Sequence, residues 1–153
     1  MMINHVWTVL CADSSIDSET NNVSLFHILE QLVVFCSEDP SPEEMVIPVP
    51  FEVFSLWVRK DPEKPVHGKG RVFYCFPNDS CSKPAEFDID LDKTVLLRTR
   101  VRSQGIKVRK PGMYTFYIEL QNEGETEWTR VATLPLLIEF KDPLSEKQQP
   151  SDE

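Results

Sequence analysis

Between Lys93 and Lys110 the chain carries seven basic residues, Lys93, Arg98, Arg100, Arg102, Lys107, Arg109 and Lys110, and no acid. Val95, Leu97, Thr99 and Val101 alternate with Leu96, Arg98, Arg100 and Arg102, so a strand here sets three guanidinium groups on one side. Each presents a planar fork of donors matched to carboxylate or phosphate oxygens. The other nine basic residues are set against all 25 acids, a net of -16 outside this stretch. Arg98, Arg100, Arg102, Lys107 and Arg109 are therefore the candidate partner-binding residues, with an acidic protein or another anion as the partner. The competing reading is structural: the arginines form cross-strand ion pairs with Asp88, Asp90 and Asp92, which precede them in sequence, or with Glu119.

Other chemistry is sparse. His5, His27 and His67 are the only imidazoles, and none lies near a Gly-x-Ser-x-Gly elbow or a His-Glu-x-x-His helix. A nucleophilic site requires distant residues to converge, so no catalytic residue is assigned and the chain is read as a non-enzyme. Asp88, Asp90 and Asp92 carry the oxygens that calcium takes, but alternation spaces them about 7 Å apart along a strand, too far to gather round one ion. Asp13, Asp17 and Glu19 form a second acidic loop. No metal ligand and no cofactor is assigned. The alternative function is a small-molecule or calcium-binding sandwich, or a hydrolase hidden in one, using the loops around Asp13 to Asn22 and His67.

Cys11, Cys36, Cys75 and Cys81 fit no zinc spacing and are read as reduced thiols, with a Cys75 to Cys81 bridge across a short turn as the alternative. Trp7, Trp57 and Trp128 lie in or beside apolar runs and are expected in the core rather than as a ligand platform. Tyr114, two residues after Gly112, resembles the tyrosine corner of sandwich folds, whose hydroxyl bonds to nearby backbone.

These residues must be positioned by strands. Val6 to Ala12 is apolar on both faces except at Thr8, and Asp13 to Asn22 reads as a polar turn. Val23 to Phe35 is read as strand, with a helical turn around Glu30 as the alternative. Four prolines between Cys36 and Pro50 make that segment a loop or an edge. Phe51 to Lys60 and Arg71 to Phe76 are expected to form a hairpin with a long tip. Phe87, Ile89 and Leu91 alternate with aspartates that should face water. Tyr114, Phe116, Ile118 and Leu120 share one face after the Pro111-Gly112 turn, as do Ala132, Leu134, Leu136, Ile138 and Phe140 in the last strand. About eight strands with closely spaced turn signals and no long amphipathic helix predict an all-β antiparallel sandwich spanning residues 1–140, followed by a disordered acidic tail, residues 141–153.

The 153 residues, 41% hydrophobic, suit one core, and the net charge of -9 argues against broad attraction to nucleic acid or to an anionic membrane. The N-terminal apolar stretch is shorter and more interrupted than a secretory leader, and no run of 18 apolar residues occurs, so a cytoplasmic protein is expected. A basic strip and acidic loops on one molecule are self-complementary, which makes a homodimer the second partner expectation.

Leu10-Cys-Ala-Asp13, Val23 to Leu29, the Pro-Gly-x-Tyr-x-Phe stretch from Pro111 to Phe116 and Leu134-Pro-Leu136 together resemble a family of short, mostly bacterial, uncharacterised domains. The resemblance spans most of residues 3–140, although Glu30-Gln31 stands where that family usually has a glycine. It implies an immunoglobulin-like sandwich and brings no catalytic residues.

Overall fold

Tyr114, Phe116, Ile118 and Leu120 all lie buried along one strand, as their alternation requires, and the rest of the molecule is built around that strand. The computed structural model describes residues 2–36 and 44–146. Among these are eleven strands: β1 (Ile3–Ile16), β2 (Val23–Ile28), β3 (Gln31–Phe35), β4 (Met45–Ile47), β5 (Phe51–Arg59), β6 (Val66–Cys75), β7 (Ala85–Leu91), β8 (Leu96–Ser103), β9 (Ile106–Val108), β10 (Gly112–Asn122) and β11 (Thr129–Lys141). One helical turn, α1 (Pro143–Glu146), follows.

A four-stranded antiparallel sheet, in the order β2-β1-β5-β8, packs on a five-stranded sheet, β3-β11-β10-β6-β7, while β4 and β9 pair as a separate ribbon. All neighbours in the second sheet are antiparallel except β3 and β11. Taking β1, β5, β6, β7, β8, β10 and β11 as strands A, B, C, C′, E, F and G gives A-B-E against G-F-C-C′, the immunoglobulin arrangement. The tyrosine corner sits where that arrangement places it. Tyr114, near the start of β10, donates its hydroxyl to Lys110 O at 2.7 Å and accepts from the Arg109 N–H at 3.0 Å. Burial raises its pKa, which keeps the hydroxyl proton available for that bond.

Trp57, Phe116, Ile89, Leu91, Ile118 and Ile138 fill the space between the sheets, each fully or almost fully buried. Each such side chain contributes about 1.5–3 kcal/mol of transfer free energy. Gly70 makes room for one neighbour. It pairs with Phe87 across β6 and β7, and a Cβ there would overlap the Phe87 ring, which packs against Trp57.

Several expectations are corrected. The strands number eleven rather than about eight because two long runs split. Val23 to Phe35 is neither one strand nor a helical turn: Leu29 N–H bonds to Leu10 O in one sheet, and Glu30 O accepts from Leu137 N–H in the other. The chain thus changes sheets between consecutive residues. Asp13 to Ile16 continue β1 instead of turning. Val6 is exposed, so β1 is not covered on both sides along its whole length. Phe51–Arg59 and Val66–Cys75 are not a hairpin, because Asp61 to Pro65 carry the chain from one sheet to the other. Only Trp57 of the three tryptophans belongs to the core; Trp7 and Trp128 are half-buried. Of the proline-rich segment, Met45–Ile47 form β4, while residues 37–43 lie outside the described residues. Lys141 closes β11 and Pro143–Glu146 form the helical turn, so the expected tail does not begin at 141; residues 147–153 fall outside the described residues.

The reading of four reduced thiols is also corrected. Cys75 ends β6, the chain turns through residues 77–80, and Cys81 returns as an isolated antiparallel partner of Cys75, to which it is disulfide-bonded. The turn is held by Phe76 N–H to Ser80 O at 2.7 Å and Ser82 N–H to Tyr74 O at 2.7 Å. Cys11 and Cys36 are free.

Candidate functional site

Among the described residues β8 pairs only with β5, in an unbroken register that sets Arg98 opposite Leu56, Arg100 opposite Phe54 and Arg102 opposite Glu52. Because faces alternate, the three arginines share the outer side of the four-stranded sheet. The inner side carries Leu97, Thr99 and Val101, and Thr99 Oγ1 accepts the Trp57 Nε1–H at 2.9 Å.

The three guanidinium groups are held differently. Arg102 Nε donates to Glu52 Oε1 at 2.8 Å; the Glu52 side chain is 5% exposed and its other oxygen accepts the Ser14 hydroxyl at 2.5 Å. Arg100 donates to Ser14 Oγ at 3.2 Å and sits 5.8 Å from the Phe54 ring centroid, with Trp7 stacked on that ring. Arg98 donates to Asn21 O and Oδ1. Among the described residues, Arg102 forms an ion pair and Arg98 and Arg100 do not. Hence the expected ion pairing with the Asp88 strand or with Glu119 is not what forms. β7 ends in one sheet and β8 begins in the other, with Arg59 tying the crossing by donating to Leu91 O and Asp92 O. Asp88, Asp90 and Asp92 face water, as their alternation with Phe87, Ile89 and Leu91 requires. Glu119 is taken by Arg71 at 2.7 Å and Arg130 at 3.4 Å on the outside of the five-stranded sheet. There Arg71 also lies 4.3 Å from the Trp128 ring centroid and Arg130 3.7 Å from that of Tyr117.

Lys107 and Arg109 follow on β9 and just beyond it. The Lys107 N–H donates to the Tyr74 hydroxyl at 3.1 Å, leaving its side chain exposed. Arg109 donates to Ser80 Oγ at 3.2 Å, stands 3.7 Å from Glu44 and lies 4.8 Å from the Phe76 ring centroid. Arg102, Lys107 and Arg109 come together at a cleft of about 510 Å³ between the two sheets, floored by Phe51, Val53, Val72 and Phe116 and flanked by Tyr74 and Phe76. Arg98 and Arg100 stand apart from it on the outer face. Five candidate residues thus form two adjoining groups, one along the outside of β8 and one around the cleft beneath its far end.

Sequence reasoning missed Glu52, Ser14 and the Trp7/Phe54 stack. Glu52 had a signal, as the lone acid in the apolar run from Phe51 to Val58. Such an acid in a central strand needs a cationic partner to be buried.

The imidazoles do not meet. His5 Nε2 lies 2.6 Å from Thr8 Oγ1, which is 2.8 Å from Ser55 Oγ, and burial lowers the His5 pKa. His67 lies in β6 opposite Asp90, and His27 in β2 has a φ of 51°. The Asp17 carboxylate caps its own turn by accepting from the N–H groups of Thr20 and Glu19, which lowers its pKa. Among the described residues no three His, Cys, Asp or Glu side chains gather as a metal would require.

Fold and site together define an all-β sandwich with a basic outer row on one edge strand. No family model and no curated protein matches the chain, so the family resemblance rests on the residues quoted for it. Among solved structures, the N-terminal domain of PorA aligns over 88% of this chain and 98% of that one, at 12% identity and a TM-score of 0.28. At that superposition it carries no argument about function.

Proposed function

We propose that this chain is a non-catalytic interaction module whose basic row, Arg98, Arg100 and Arg102, receives an acidic protein partner. The observation that carries the reading is the unequal pairing of the row. Arg102 is committed to Glu52, while the half-buried Arg98 and the exposed Arg100 are, among the described residues, hydrogen-bonded to neutral groups only. A guanidinium held by neutral acceptors keeps its full charge for a partner carboxylate and is already oriented, so less side-chain entropy is lost on binding.

The test is quantitative co-purification from source cells of tagged wild-type protein against the Arg98→Glu/Arg100→Glu form. Arg102 stays untouched, because replacing it would strand the Glu52 carboxylate and confuse folding with binding. A stoichiometric partner lost in the variant supports the reading. A partner set unchanged by the variant removes it, and recovery of the tagged chain with an untagged copy of itself identifies the homodimer instead. The Cys75–Cys81 bridge counts against a cytoplasmic location, since disulfides persist in oxidising surroundings. Alkylation of thiols at the moment of cell lysis decides between them.

A further inference from the structure

We infer that the partner of the basic row is an extended acidic strand, which pairs with the free edge of β8 and seats one large apolar side chain in the adjoining cleft. This rests on the proposed function and specifies the partner.

β8 is the outermost strand of its sheet, so alternate backbone N–H and C=O groups along it lack a strand partner among the described residues. Proteins usually blunt such edges with charged side chains, a proline, a bulge or a very short strand. β8 has no proline, and its register with β5 runs without a shift from Leu96 to Ser103; its protection is the charge of Arg98, Arg100 and Arg102, which repels a basic strand and admits an acidic one. The other edges are poorer templates for an acidic strand. β7 presents Glu86, Asp88 and Asp90, β2 contains His27 at positive φ, and β3 is five residues long.

The cleft lies where an added strand would cross. Its lining includes Val101 and Ser103 of β8 and Ala85 of β7, the two edge strands that face each other across the sandwich. Its mouth therefore opens between those edges. A strand docked about 4.8 Å beyond β8 would turn every second side chain outward beside Arg98 and Arg100 and the intervening ones inward over the cleft. Outward positions call for Glu or Asp. The inward position opposite Val101 and Ser103 calls for an aromatic or a large aliphatic, since the cleft falls within the roughly 300–1,000 Å³ of ordinary ligand pockets. Lys107 at the rim favours a further acid beyond that anchor, whereas Arg109 already faces Glu44 at 3.7 Å. The recognised segment is thus acid-apolar-acid-apolar-acid in extended form, a strand-addition mode in which main-chain bonds give affinity and alternate side chains give specificity.

The probe is a fluorescein-labelled peptide, Glu-Val-Glu-Phe-Glu-Val-Glu, titrated with the full chain by fluorescence anisotropy. Four companions accompany it: the same peptide with Phe replaced by Ser, two versions N-methylated at alternate residues in opposite phase, and 3-phenylpropionate as a free competitor. The expected results are saturable binding, a loss of about tenfold on removing the anchor, and loss of binding for one N-methylated phase. Arg98→Glu/Arg100→Glu weakens binding by about 30-fold or more, and Ala85→Trp, which fills the cleft mouth from an exposed position, removes the advantage of Phe over Ser. Binding that responds to the arginine variant but to neither N-methylation nor the anchor would leave the proposed function standing and overturn this inference. Absence of peptide binding overturns it as well. Binding of 3-phenylpropionate that Ala85→Trp abolishes, with no peptide binding, identifies the cleft as a small-molecule site.

Discussion

Replacing Arg102 with Ala should destabilise the fold, whereas the same change at Arg98 should not, even though the two stand in one row. Glu52 is the reason. Its side chain is 5% exposed, and its two oxygens are satisfied by Arg102 Nε at 2.8 Å and Ser14 Oγ at 2.5 Å. Without Arg102 one carboxylate oxygen loses its charged donor. Breaking a fully buried pair costs about 3–5 kcal/mol, but the Arg102 side chain is 60% exposed, so water reaches the gap it leaves. Discounting for that access, a hydrogen bond to a charged group is worth about 1.5–3 kcal/mol, and about 2 kcal/mol is expected here. In a chain of 153 residues that lowers the midpoint by about 4–8 °C. Arg98→Ala, which removes only exposed bonds to Asn21, should stay within about 0.5 kcal/mol. Urea denaturation of both variants, with Glu52→Gln and Arg102→Ala/Glu52→Gln to close the cycle, measures this directly. The double variant should recover part of the loss, because a neutral amide tolerates its position better than a stranded carboxylate. Equal stabilities for Arg102→Ala and Arg98→Ala would refute the reasoning.

Three further outcomes follow from the same contacts. Gly70→Ala should cost about 1–3 kcal/mol, because the added Cβ would overlap the Phe87 ring packed against Trp57; chemical denaturation checks it, and no loss would mean the ring moves freely. His5 is neutral in the fold because burial lowers its pKa from 6.5, so the unfolded chain takes up the proton first as pH falls. Stability should therefore decline from about pH 6.5 down to the lowered folded pKa and level off below it, and His5→Gln should flatten that decline; parallel wild-type and variant curves between pH 7.5 and 5.5 would contradict the assignment. Reducing the Cys75–Cys81 bridge, with a sequence separation of 6, should cost about 2 kcal/mol by loop-closure entropy and lower the melting midpoint by about 4–8 °C. A midpoint unchanged by dithiothreitol would contradict it.

Period-two alternation made much of this fold readable. Tyr114, Phe116, Ile118 and Leu120 are buried as their spacing requires, Leu136 and Ile138 likewise with Leu134 and Phe140 half-buried beside them, and the outward row of Arg98, Arg100 and Arg102 follows from the same rule. Strand existence is local information; sheet membership is not. Val23 to Phe35 looked continuous because both of its halves are strand, while the switch between Leu29 and Glu30 depends on which backbone is waiting on either side. The hairpin expected from β5 and β6 failed for that reason, and so did ion pairing between β7 and β8. Both are steps between sheets, where proximity in sequence does not bring pairing. β5 was hardest to read by face, because Phe51, Val53 and Trp57 fill the core while Phe54, on its other side, is buried under Trp7. Of the candidate site, the charges were legible and their partners were not. The cleft that gathers Arg102, Lys107 and Arg109 exists only once β8 is set across from β6 and β7.

The central claim is that partners are received along β8, and hydrogen–deuterium exchange of the full chain with and without the acidic peptide tests it most directly. The account predicts slowed exchange across residues 96–103, which is abolished in the Arg98→Glu/Arg100→Glu variant. Unchanged exchange there, with protection instead on the Arg71, Trp128 and Tyr117 face, would contradict it.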